Sequence, residues 1–172
     1  MFVIHGSGDT AARFSKPWQP LVDEGWTLIV AQAGCSWDDR ELARSEIRRH
    51  LEDCRSKRGL GTDGMVIAGA GEGAELSLEI AREAGVPWLS VIPSFSMGYD
   101  AGPLMTVPSH TRGAFLLGEH DPANSRALPV IAMMESAGVQ LIVRTMKGVG
   151  HDLPDDFSAH ASEALRALQA YG

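Results

Sequence analysis

The sequence predicts an α/β protein: about six mostly parallel strands with helices on both faces of the sheet. Three observations predict it. Short apolar runs alternate with amphipathic stretches along nearly all of the 172 residues. Glycine and proline clusters punctuate almost every change from one to the other. One run, Val66 to Gly69, passes through glycines straight into a helical pattern. A chain of this length reads most simply as one domain, residues 1–172, able to bury a sizeable core.

Phe2-Val3-Ile4 is the first strand and stops at His5-Gly6-Ser7-Gly8-Asp9. Ser15-Lys16-Pro17 reads as a cap and first turn of a helix running to about Glu24, stopped by Gly25. Trp26 to Ala31 is the second strand. From Ser36 a charged helix runs to about Lys57, with Leu42, Ile47 and Leu51 on its apolar side and its charges facing water. Met65 to Gly69 is the third strand, Glu72 to Ala84 a helix capped by Gly85, and Pro87 to Ile92 the fourth strand. Residues 93–112, rich in Pro, Gly and Ser, lack periodicity, and a loop of that length is typically a lid or pocket wall. Ala114 to Leu117, a helix from Asn124 to Ala137, the strand Val139 to Thr145 and a helix from Pro154 to Tyr171 complete the chain.

The net charge of −7, with no Lys/Arg-rich run, argues against nucleic acid or an anionic membrane as the main partner. No apolar stretch reaches membrane-spanning length and the N-terminus does not have a signal-peptide layout, so a cytoplasmic protein is expected. Cys35 and Cys54 are too few for a disulfide scaffold. His50 and Cys54, four apart on a helix, would be two metal ligands without partners, and a solvated helix face explains them better. No cofactor or metal is expected.

Val66 to Leu76 is the stretch that carries chemistry. Its turn, Gly69-Ala70-Gly71-Glu72-Gly73-Ala74, aims backbone N–H groups at one point above the sheet. It fits small-x-nucleophile-x-small, with Gly69 and Gly73 as the small residues, and it also fits the dinucleotide pattern G-x-G-x-x-A. The dinucleotide reading requires an acid about twenty residues on to hold a ribose. The next strand ends instead in Ile92-Pro93-Ser94, and Glu72 would meet a pyrophosphate with like charge. It is the minor alternative.

In parallel sheets ligands bind beyond the carboxyl ends of the strands. Those positions hold His5-Gly6-Ser7-Gly8-Asp9, the 69–74 turn, Gly118-Glu119-His120-Asp121 and Gly150-His151. With these residues in this order, the chain resembles the α/β-hydrolase superfamily, in particular its small carboxylesterase, phospholipase-like and dienelactone-hydrolase-like branches. The resemblance implies a minimal six-stranded sheet in the order 2-1-3-4-5-6. It also implies hydrolysis of a carboxylic ester or thioester, with a small-molecule acyl compound as substrate. Asp121 would orient and charge-stabilise His151, and His151 would act as general base and then general acid. The backbone N–H groups of Ser7 and Glu72 would form the oxyanion hole. His5, Phe95, Met97 and Tyr99 would line the substrate pocket, although the apolar residues of this loop would serve equally well at the edge of the core.

One departure is decisive for chemistry. Position 71, where that family carries its serine, is glycine. Glycine adopts the strained backbone of such a turn at little cost, but it cannot attack a substrate. A hydrolase scaffold inactivated at its nucleophile is therefore expected. The alternatives are a ligand-binding pseudohydrolase and an enzyme that uses His151 as base without a serine intermediate. Glu72 reads as a complement to the helix dipole. Ser94 and Ser96 are possible substitutes, but their spacing makes no elbow.

Overall fold

The computed structural model describes residues 1–6, 8–32, 39–59, 61, 63–96, 99, 102 and 112–170. The strands are β1 (Phe2–Ile4), β2 (Ile29–Ala31), β3 (Ile67–Ala70), β4 (Trp88–Val91), β5 (Arg112–Gly118) and β6 (Gln140–Met146). They form one six-stranded sheet in the order β2-β1-β3-β4-β5-β6, and every neighbouring pair is parallel. This is the expected order, and it sets the carboxyl ends of β3, β4 and β5 side by side.

Alternation along each strand assigns the two cores. Phe2, Ile4, Ile67, Trp88, Phe115 and Leu117 point to one face. Val3, Ala68, Leu89, Val91, Ala114 and Leu116 point to the other. The first face is covered by α3 (Arg40–Arg58), α4 (Glu72–Ala84) and α5 (Asn124–Ser136), through Ile47, Leu51, Leu76, Ile80, Ile131 and Met134. The second is covered by α1 (Ala11–Phe14), α2 (Pro20–Asp23) and α6 (Phe157–Ala170), where the rings of Trp18 and Phe157 meet edge to face at 4.7 Å. Each large side chain buried this way stabilises the fold by about 1.5–3 kcal/mol before entropy is counted.

Three expectations about the helices change. The helix foreseen from Ser15 to Glu24 is instead three short turns: α1, capped by Thr10, then a 3₁₀ turn at Lys16–Trp18, then α2. Pro17 and Pro20 each open a new turn because neither has an N–H to continue the previous one. In α3 the buried side is Ala43, Ile47 and Leu51, whereas Leu42 is 45% exposed. Nor is the charge on α3 simply a wet face. Arg40, Arg44 and Arg48, spaced four apart, meet Glu75, Glu79 and Glu83 of α4 in a ladder, with Arg40–Glu75 at 2.7 Å and Arg48–Glu83 at 2.6 Å. The start foreseen for α3 at Ser36 lies outside the described residues, and its described N-cap is Asp39, which accepts from the Leu42 N–H. No described helix is long and apolar enough to cross a membrane.

Candidate active site

The β3–α4 turn forms as its glycines require. Gly71 has φ 58° and ψ −124°, a conformation L side chains rarely adopt. On either side of it a Cβ could not be accommodated. One on Gly69 would lie 2.1 Å from the Gly73 carbonyl oxygen, and one on Gly73 would lie 2.4 Å from that of His5. Helix α4 thus sits directly on the ends of β3 and β1. In its first turn the Ala74 N–H donates to the Gly71 carbonyl at 3.2 Å.

Asp121 follows β5 and is almost fully buried. Its Oδ1 accepts the Ala123 N–H at 2.8 Å, capping the turn into α5, and its Oδ2 accepts from His151 Nδ1 at 2.8 Å. Asp121 thus closes the turn that leads into α5 with one oxygen and holds the histidine with the other. The loop that carries His151 is tied to the end of β5 by the His120 N–H, which donates to the Val149 carbonyl at 2.8 Å, and by the Gly148 N–H on the Glu119 carboxylate. Gly118 permits this approach, since a Cβ there would meet the Gly150 oxygen at 2.2 Å.

A carboxylate on Nδ1 fixes the imidazole tautomer: Nδ1 carries the proton and Nε2 presents a lone pair. That lone pair faces a hydroxyl. Ser94 Oγ lies 2.9 Å from His151 Nε2, and the His151 side chain is still 44% exposed, open to a substrate. The sequence reading set Ser94 aside because no elbow motif surrounds it. The signal that finds it is strand register: Ala70 pairs with Val91, so the residues following β3 and β4 leave the sheet at one level.

The other predicted positions divide. His5 is buried behind the turn, donating from Nδ1 to the Gly6 carbonyl with its ring against Phe14. Phe95 is 1% exposed and packs in the core of the first face and on Tyr99, at 4.8 Å between centroids. Tyr99 is half-buried under the Arg40 guanidinium, and burial pushes its hydroxyl above the ordinary tyrosine range, so it stays neutral. Ser7 and Met97 lie outside the described residues.

Glu75 ties this region to the helix ladder. Burial holds its carboxyl above the ordinary glutamate value although Arg40 grips one oxygen, and its other oxygen accepts the Ser96 N–H at 2.9 Å. Among the described residues no group of three His, Cys, Asp or Glu side chains is placed to hold a metal ion. A cavity of about 450 Å³ lies at the opposite, amino-terminal end of the strands, lined by Phe2, Ile29, Leu51 and Met65, well away from His151.

No family model and no curated protein sequence matches the chain. Solved structures do. An uncharacterized protein from Bacillus cereus superposes with a TM-score of 0.81 at 17% identity, over 98% of this chain and 59% of that one. The chain thus spans well under two thirds of that protein's length. Esterase PE8 superposes with a TM-score of 0.79 at 16% identity, over 97% of this chain and 91% of that one. An esterase from Pyrobaculum calidifontis gives a TM-score of 0.74 at 12% identity, over 98% and 75%. Taken with the strand order, these similarities define the fold as that of the α/β-hydrolases.

Proposed function

We propose that this chain is an ester-hydrolase scaffold, with a crevice above β3, β4 and β5 for a small carboxylic ester or thioester. The observation that carries the reading is the Asp121–His151 pair: a buried carboxylate holding Nδ1 of a half-exposed histidine at the end of the sheet, beside a strained turn at the head of α4. Such a pair has the geometry of a general base that removes a hydroxyl proton and later returns one to a leaving alkoxide. The backbone N–H of Glu72, with that of Ser7, would stabilise the oxyanion, each donor worth about 3–4 kcal/mol in acyl transfer. Esterases among the similar structures agree with this reading.

Gly71 supplies no nucleophile, so His151 has only water or a neighbouring hydroxyl to activate. Restoring a hydroxyl at position 71 tests the scaffold. A Cβ there meets nothing closer than Ser94 Oγ at 3.8 Å, so a side chain fits, at a strain cost of about 1–3 kcal/mol. With the Ser94 hydroxyl removed, so that only position 71 can supply a nucleophile, Gly71→Ser/Ser94→Ala is expected to hydrolyse p-nitrophenyl acetate and butyrate about 10³-fold or more faster than Ser94→Ala while melting at a lower temperature. A double variant that is folded by circular dichroism yet no faster than Ser94→Ala on a panel of esters would overturn the reading.

A further inference from the structure

We propose that Ser94 is the nucleophile of this site, its hydroxyl brought in from the end of β4 in place of the side chain that position 71 lacks. The proposal rests on the ester-hydrolase reading and adds the residue that carries the acyl group.

The first argument is reach. Ser94 Oγ is 2.9 Å from Nε2, and His151 Nδ1 is 2.8 Å from Asp121 Oδ2, so hydroxyl, base and orienting carboxylate form one continuous relay. The second is place. A Cβ built on Gly71 would be 3.8 Å from this oxygen, so the Ser94 hydroxyl lies beside the volume an elbow serine would fill.

The third argument is construction. Three consecutive residues are tied down: the Ser94 N–H donates to the Gly71 carbonyl at 3.2 Å, Arg126 Nε donates to the Phe95 carbonyl at 2.5 Å, and the Ser96 N–H donates to Glu75. The fourth is strain. Among the described residues Ile92 is the one non-glycine with positive φ, at 39°. For a β-branched side chain this is a true outlier, and such outliers gather where a site needs its geometry enforced. Ile92 is held there by its buried side chain and by its N–H on the Leu116 carbonyl at 2.7 Å. A serine that merely filled a loop would need neither the strain nor the anchors.

The chemistry balances without a cofactor. Ser94 Oγ bonds to the ester carbonyl carbon as its proton passes to Nε2. The carbon–oxygen bond to the alcohol then breaks, and the Nε2 proton leaves with the alkoxide. Water repeats the sequence on the acyl-serine, releasing the acid and restoring the hydroxyl.

Diisopropyl fluorophosphate tests this directly, since attack forms an Oγ–P bond and expels fluoride. The parent chain is incubated with it, and the adduct is counted by intact mass and located by peptide mapping. One adduct on Ser94 is expected. His151→Ala should slow labelling about 10²–10⁴-fold, Ser94→Ala should abolish it, and the double variant Gly71→Ser/Ser94→Ala should be labelled at position 71 instead. An adduct on any other residue of the parent overturns the proposal. So does an unlabelled parent beside a Gly71→Ser variant labelled at position 71, which would leave the ester-hydrolase reading standing. If both chains are folded and neither is labelled, both readings fall.

Discussion

The turns after β3 and β4 leave the sheet at the same level, because Ala70 pairs with Val91 and the Gly71 N–H donates to the Val91 carbonyl. They differ in what they offer. The first has the backbone of a nucleophile turn, a strained residue at the head of a helix between two glycines that admit no Cβ, but it has no side chain. The second has a hydroxyl on the histidine and a strained residue two positions before it. The glycine turn at the head of a helix and the hydroxyl on the histidine thus belong to two adjacent turns of this chain.

Substitutions on the elbow side separate packing from backbone strain. Gly73→Ala forces a methyl group against the backbone oxygens of His5 and Ile4, which cannot rotate away, so α4 must lift off the sheet. A loss of about 3 kcal/mol or more is expected. Gly71→Ala adds a methyl to open space and meets only the unfavourable φ, so a smaller loss of about 1–3 kcal/mol is expected. Urea unfolding of the two variants checks the order. Equal losses would mean that α4 is not seated on β1 through Gly73.

On the Ser94 side, Arg40→Ala removes the cation from Glu75, leaving a buried carboxylate with the Ser96 N–H, and uncovers the Tyr99 ring. A loss of about 1–3 kcal/mol is expected. Because Glu75 anchors the segment carrying Ser94, labelling of that serine by diisopropyl fluorophosphate should also slow several-fold with the protein still folded. Unchanged labelling would show that the turn is positioned without Glu75.

The sequence made the elbow legible and the second turn not, for a physical reason. The boundaries of α4 follow from local chemistry, a glycine turn at one end and Gly85 in the left-handed conformation at the other, so Glu72 to Ala84 could be read directly. The pairing of Asp121 with His151 was legible through the resemblance, and both residues follow neighbouring strands, β5 and β6, of the parallel sheet. The contact between Ser94 and His151 depends on register between β3 and β4, on the anchors from Glu75 and Arg126, and on a strained Ile92; none of these leaves a spacing in the sequence. The same limit hid the ladder from α3 to α4. Arginines at every fourth position look like a solvated face until glutamates on another helix are set opposite them.

The far rung of that ladder gives the smallest effect and the sharpest control. Glu83 accepts from Arg48 and Arg44 and, among the described residues, has no hydrogen bond reaching the Ser94 segment. The Arg48 hydrogen bond, outweighing the effect of partial burial, holds its carboxyl below the ordinary value of 4.5. A carboxyl depressed on folding contributes stability above its unfolded pKa, and that contribution is lost as pH falls through the lower folded value. Glu83→Gln should therefore melt below the parent at pH 7, by an amount worth no more than about 1 kcal/mol for so exposed a pair. The gap should narrow as pH falls through the lowered folded value, below which the parent carboxyl also loses its charge. Labelling of Ser94 at pH 7 should match that of the parent. If it slows as with Arg40→Ala, the ladder acts as a unit, and the link through Glu75 and Ser96 is not what places the hydroxyl.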